Sequence, residues 1–201
     1  AISTGKFTPD TKVDTTSNGL FRVGHNWVRD DTRNGVITVT KILQVSSNIG
    51  AAKVTLASPP QQLLGFLRKM GFGKKPGGEF PGESSGLMPH YKRWSDFELA
   101  TLAFGYGIAA TPLQLAHAYS VMANGGKQCP LTVLKRDKAP VCPQVITPQL
   151  ADQMLTMLQA VLQPGGTGTL ARIKNYHVAG KTGTSYIAKP TGGYYHNRYT
   201  V

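Results

Sequence analysis

The sequence has no uninterrupted apolar stretch near the ~18 residues that a membrane-crossing helix requires. Its opening, AISTGKFTPDTK, lacks the basic, apolar and small-residue zones of a secretory signal. This stretch therefore encodes neither a span nor an export signal. Acidic side chains are also scarce: 10 Asp and Glu stand against 22 Lys and Arg, for a net charge of +12. Such an excess implies anionic surroundings, whether nucleic acid, anionic lipid or a polyanionic wall polymer. The densest basic patches, LRKMGFGKK at 67–75 and HYKRW at 90–94, lack the aromatic and basic pattern of a nucleic-acid module. They read as a solvated basic face, and no nucleic-acid partner is expected.

Cysteine is almost absent. Cys129 and Cys142 have no C-x-x-C spacing, which removes the usual metal and redox readings. His25, His90, His117, His177 and His196 have no metal-like spacing, and His117 falls on an apolar helix, so core or surface roles suit them. The PLTVLKRDKAPV run between the cysteines alternates and then turns like a small hairpin. A disulfide closing it needs an oxidising compartment, and two inert free thiols fit the spacing equally well. PGGTGTLA at 164–171 is glycine-rich but lacks the Lys-Ser/Thr of a phosphate loop, and it reads as a helix-to-loop junction. Glu83 and Asp96 do not form a glycosidase-like pair. Internal repeats and low-complexity tracts are missing too.

What is present suffices for a folded domain: 201 residues, 40% of them hydrophobic, can bury a sizeable core. Residues 1–36, rich in Thr, Asp, Gly and Asn, read as loop and edge structure with a hairpin at LFRVGHNWVRD. Residues 37–163 are expected to be mainly helical. One helix starts at ITVTKILQV (37–45) and a second at Asn48. SPPQQLLGFLRKMGFG reads as a helix capped by Ser58 and stopped at Gly71, TPLQLAHAYSVMANGG as one capped by Thr111, and TPQLADQMLTMLQAVLQ as one capped by Thr147. Residues 176–187 should form a strand, with 196–201 beginning its antiparallel neighbour.

Two short polar runs carry the chemistry. VSSNIG places Ser46 and Asn48 on a tight turn between two helices, where Ser and Asn are also ordinary capping residues. GKTGTS puts Lys181, Thr182, Gly183 and Thr184 on an expected strand, where glycine is costly unless a ligand or another backbone must come close. A fixed cation, two hydroxyls and a gap beside them make an anion-recognising edge. S-x-N followed by K-T-G constitutes two of the three elements of the active-site serine enzymes that bind penicillin, the third being S-x-x-K.

With PGESSG (81–86), RWSDFELATLAFGYG (93–107) and TPLQLAHAYSVMANGG (111–126) in order between them, these motifs resemble the transpeptidase domain of the class B penicillin-binding proteins of the division septum. The resemblance runs through essentially all of residues 1–201. It implies an α+β fold of the penicillin-binding transpeptidase and serine β-lactamase type, a helical subdomain plus an antiparallel sheet. It also implies a serine acyltransferase that takes D-Ala-D-Ala stem peptides, cross-links septal peptidoglycan, is blocked by β-lactams and uses no metal or organic cofactor. Ser46 would then belong to a proton relay, Asn48 would orient an amide of the acyl donor, and Lys181 would hold the relay and raise the local positive potential. Thr182 and Thr184 would bind the terminal carboxylate, the Thr184 N–H would form half of the oxyanion hole, and Gly183 would leave room for substrate. Ser185 and Tyr186 would border the cleft, and Tyr186, Tyr194 and Tyr195 follow KTGTS on what should be a mobile loop beside it.

The chain departs from the family pattern in one motif. Its only S-x-x-K is Ser3 to Lys6, which Gly5 interrupts, and TSN at 16–18 is a turn ending in Asn18-Gly19. The expectation is therefore that residues 1–201 are the middle of one transpeptidase domain, with the nucleophile helix upstream and the final strands downstream. The resemblance further implies divisome membrane proteins as partners, and the periplasmic face of the bacterial inner membrane as the site of action, with an N-terminal anchor outside this chain. The alternatives are an elongation-specific class B enzyme, a serine β-lactamase, or a non-catalytic scaffold fragment.

Overall fold

The computed structural model describes residues 1–88, 94–189 and 194–200. The chain begins with small antiparallel pieces. β1 (Lys12–Asp14) pairs with β4 (Val36–Thr38), and β2 (Leu20–Val23) forms a hairpin with β3 (Asn26–Arg29) in the register Phe21 to Val28. Alternation along the hairpin buries Val23 and Val28 on one face and leaves Arg22 and Trp27 exposed on the other. Helices follow: α1 (Val39–Val45), α2 (Asn48–Leu56), α3 (Pro60–Lys69), α4 (Asp96–Leu102), α5 (Pro112–Ala123) and α6 (Pro148–Ala160). Among the described residues of 37–163, long connections outside helix lie between α3 and α4 and between α5 and α6, so the stretch is less helical than its composition predicts. The last pair is β5 (Ser185–Ala188) with β6 (Tyr194–Thr200), antiparallel, with a register shift between Tyr186 and Ala188.

Helix starts follow local chemistry. Thr111 and Thr147 each accept the N–H of the residue three further on, with proline in the next position. Gln114 completes a capping box at α5, as Glu98 does with Ser95 at α4. Each such cap contributes about 1 kcal/mol. Ser58 does not cap α3. Two prolines follow it, Pro59 is extended and holds the cap position, and the helix starts at Pro60, one residue later than the serine requires. The Ser58 Oγ is buried without a partner.

The apolar residues separate into three packed groups. Val23 and Val28 of the hairpin lie against Ile49 and Ala52 of α2 and Ala100 of α4. Met70, Ala118, Val121, Leu150 and Ala151 join α5 to α6, and Leu64, Met88 and Leu102 join α3 to α4. Ile49 is completely buried, worth about 1.5–3 kcal/mol. The hairpin is thereby fixed against α2, which positions everything that follows.

Several expected features differ. The first helix begins at Val39 because Val36–Thr38 pairs with β1 and Thr38 then caps it. The run between the cysteines is not a hairpin. It is an irregular exposed loop closed by a Cys129–Cys142 disulfide and by the isolated bridge between Lys127 and Gln144. Residues 176–184 lie in no ladder, so the strand starts at Ser185. Tyr186 is in β5, and Tyr194 and Tyr195 open β6 rather than lying on a loop. His90 and most of the HYKRW patch fall outside the described residues.

Candidate active site

The Ser46–Asn48 turn is built from both sides. α1 ends at Val45, and Ser46 takes the left-handed conformation, φ 59° and ψ 46°. A side chain at such a backbone costs on the order of 1 kcal/mol or more, so the surroundings must hold it. Ser47 Oγ accepts the Gly50 N–H at 2.9 Å and donates to Asp30 Oδ2 at 2.5 Å, while Asp30 Oδ1 accepts the Ile49 N–H at 2.9 Å. Asn48 Nδ2 donates to the Arg29 carbonyl at 3.0 Å. A carboxylate facing the first-turn N–H groups of a helix satisfies donors that have no partner within it. The end of β3 thus clamps the start of α2, and Ser46 is left exposed at the apex.

Lys181 arrives from the opposite side of the chain. The Gly180 N–H bonds to the Leu158 carbonyl of α6 at 3.3 Å, which directs the following residues toward the end of α1. Lys181 Nζ donates to Ser46 Oγ at 2.7 Å across 135 residues of sequence, and to the Thr182 carbonyl at 2.9 Å. Partial burial lowers the lysine pKa from its ordinary value, because desolvation disfavours the ammonium. The Thr182 and Thr167 hydroxyls are paired at 2.7 Å, and the Thr167 N–H bonds to the Gln44 carbonyl at 3.2 Å. Gln44 Nε2 reaches the Pro164 carbonyl at 3.2 Å. The glycine-rich loop therefore ties the last turn of α1 to the KTG run.

Thr182, Gly183, Thr184 and Ser185 are exposed, and a Cβ placed on Gly183 would meet nothing within 4 Å. Ser185 and Tyr186 are the first residues of β5, opposite Thr200 and Tyr199. The structure brings Ser46, Lys181 and Thr182 into one hydrogen-bonded group. Asn48 shares the turn with Ser46 but is held by Arg29, and among the described residues it makes no hydrogen bond to Lys181. Asp30 and Thr167 were not singled out from sequence. An aspartate after a strand carries no distinctive signal, whereas the glycine pattern of PGGTGTLA did mark a junction. Ser3 lies in one 3-10 turn (Ile2–Thr4) ended by Gly5 at φ 72°, and Lys6 Nζ is taken by the Ala57 carbonyl. No group of three or more His, Cys, Asp or Glu among the described residues is placed to hold a metal ion.

This pairing of an interhelical serine with a distant lysine, beside exposed threonine hydroxyls, suits proton transfer next to an anion-binding edge. A family model for the penicillin binding protein transpeptidase domain matches residues 1–201. The chain belongs to that family. The probable peptidoglycan D,D-transpeptidase PbpC of Pseudomonas aeruginosa is 38% identical over 192 residues, which is 96% of this chain and 34% of the relative. Peptidoglycan D,D-transpeptidase FtsI of Escherichia coli K12 is 38% identical over 179 residues, 89% of this chain and 30% of the relative. The chain spans about a third of the length of these relatives. The apo TP domain of Burkholderia pseudomallei penicillin-binding protein 3 superposes with a TM-score of 0.92 at 35% identity, covering 98% of this chain and 60% of that one. Penicillin-binding protein 3 from Mycobacterium tuberculosis, complexed with aztreonam, gives a TM-score of 0.86 at 32% identity, covering 98% and 48%. The fold is therefore that of the penicillin-binding transpeptidases, α+β in class.

Proposed function

We propose that these residues form the central part of a serine D,D-transpeptidase domain that cross-links peptidoglycan stem peptides during septal wall synthesis and is acylated by β-lactams. The observation that carries the reading is the 2.7 Å contact between Lys181 Nζ and Ser46 Oγ, since it joins the two motifs that the chemistry requires together. In the forward reaction a serine hydroxyl supplied from upstream of Ala1 attacks the penultimate D-Ala carbonyl of one stem. The C–N bond to the terminal residue breaks, and free D-alanine leaves. An amine of a neighbouring stem then takes the acyl group, and the serine regains its proton.

Each residue has a place in this sequence of steps. Ser46 and Lys181 pass protons between the nucleophile and the leaving and entering amines. Thr182 and Thr184 hold the terminal carboxylate, and the Thr184 N–H supplies half of the oxyanion hole. Asn48 orients an acyl-donor amide through the end of its side chain not engaged with Arg29. The open space over Gly183 is where the substrate backbone lies. Ser185 and Tyr186 border it.

The Cys129–Cys142 disulfide supports an oxidising compartment, in keeping with the periplasmic face of the inner membrane, an anchor elsewhere in the protein and divisome membrane proteins as partners. PGESSG with FELATLAFGYG favours the septal enzyme over the elongation-specific one. Covalent labelling of the full-length protein by a fluorescent penicillin tests the reading. Labelling is expected, slowed about 10²-fold or more by Ser46→Ala or Lys181→Ala. No labelling of the full-length protein turns the reading toward a scaffold.

A further inference from the structure

We infer that Asp30 is a positioning residue of the acylation machinery, acting through the Ser46–Asn48 turn. The inference rests on the proposed transpeptidase reading. Asp30 follows directly on β3, and its N–H bonds to the Gly19 carbonyl at 3.2 Å, closing the base of the hairpin. Both carboxylate oxygens are committed to the turn, Oδ2 to the Ser47 hydroxyl at 2.5 Å and Oδ1 to the Ile49 N–H at 2.9 Å. Ser47 is buried, Ile49 fully so and Asp30 half-buried, so these bonds are partly shielded from water. The adjacent Arg29 carbonyl holds Asn48 Nδ2, so two consecutive residues, one by its carbonyl and one by its carboxylate, grip Ser47, Asn48 and Ile49.

Ser46 needs that grip. Its left-handed backbone is unfavourable for a side-chain-bearing residue, and a relaxed φ would swing Oγ away from Lys181 Nζ, 2.7 Å distant. Lys181 is anchored through the Gly180 N–H on the Leu158 carbonyl of α6 and through the Thr182–Thr167 pair, which the Thr167 N–H in turn ties to Gln44 of α1. Among the described residues, Asp30 and Arg29 supply the hydrogen bonds that tie the Ser46–Asn48 turn and the start of α2 to the hairpin. The hairpin is itself packed on α2 through Val23, Val28 and Ile49.

The consequence is specific to the chemical step. Asp30 touches neither Lys181 nor the KTG run among the bonds of the described residues, so losing it should leave carboxylate binding intact while misplacing the proton relay. The test is made on the full-length protein with a fluorescent penicillin, separating the acylation rate constant from the pre-acylation binding constant. Asp30→Asn keeps the shape and one acceptor but loses an acceptor facing the turn, and Asp30→Ala loses both. Acylation is expected to fall by about 10²-fold for Asp30→Ala, and less for Asp30→Asn, at nearly unchanged binding. In a Ser46→Ala background the Asp30 substitution should add almost nothing, because residues that act as one unit are not additive. A general loss of folding would instead persist in that background and would lower the fraction of protein that labels at saturation. Parent-like acylation by both variants, or full additivity with Ser46→Ala, overturns the inference alone. If the parent itself fails to label, the transpeptidase reading falls and takes this inference with it.

Discussion

Lys181 is where the physical chemistry of a single residue is most exposed. Its amine donates to Ser46 and is partly desolvated, and that desolvation lowers its pKa. The unfolded chain therefore binds more protons than the folded one between the depressed pKa and the ordinary lysine value. Stability should rise with pH through that window, and the cost of burying the ammonium is fully present below it. Lys181→Met, which keeps the stem and removes the titration, is expected to flatten the alkaline part of a urea-midpoint profile against pH. An unchanged slope would show that the lysine is as well solvated folded as unfolded. On the proposed reading, in which the relay needs an amine able to accept a proton, the same depression should bring the rise of acylation with pH below the range of a free lysine, read from labelling rates against pH.

At the scale of elements, the site depends on how closely α1 and α2 approach. A Cβ on Gly50 would come within 2.5–2.9 Å of three side-chain atoms of Ile42, itself buried and stiff at χ1. Gly50→Ala should therefore destabilise the fold by about 1–3 kcal/mol despite alanine's better helix propensity, read as a lower urea midpoint at constant slope. A gain in stability would mean that Ile42 can move aside. Gly50 also shows what was legible from sequence. Thr111 and Thr147 could be read as caps because their partners lie three residues away, and the hairpin at Leu20 to Arg29 because alternation and a glycine turn are local. Ser46 and Lys181 could be paired only through the family's motifs, since nothing in spacing brings residues 135 apart together. Asp30 was missed because its partners lie on another element. Ser58 has the composition of a cap, but two prolines displace the helix start by one position, and residues 176–184 have the composition of a strand without a pairing partner.

At the scale of the whole molecule, the Cys129–Cys142 loop and the site belong to different connections. The disulfide closes a separation of 13 residues between α5 and α6, and Glu79 holds the loop through an ion pair with Arg136 at 3.1 Å and the Thr132 hydroxyl at 2.9 Å. Replacing both cysteines with alanine should cost about 2–3 kcal/mol, mostly through a freer unfolded chain. Penicillin acylation of the full-length protein should be unaffected. A parallel loss of acylation would show that the loop reaches the cleft.

The pairing of Ser46 with Lys181 leads to a stricter test, because an assembled relay is not a complete active site. Acylation also needs a nucleophile beside a base and an oxyanion hole, and the family's nucleophile contributes one of the two N–H groups of that hole. Within residues 1–201 the only serine in an S-x-x-K pattern is Ser3. The 3-10 turn around it stops at Gly5, and the Lys6 amine is engaged by the Ala57 carbonyl, so serine and lysine do not share a helical face one turn apart. These 201 residues prepared alone should therefore remain unlabelled by a fluorescent penicillin, even where circular dichroism shows the helices formed. The full-length protein should label at a serine upstream of Ala1. Mass mapping of the adduct decides the matter: label on Ser3 would make the first helical turn the nucleophile after all, and would require Lys6 to leave Ala57 during the reaction.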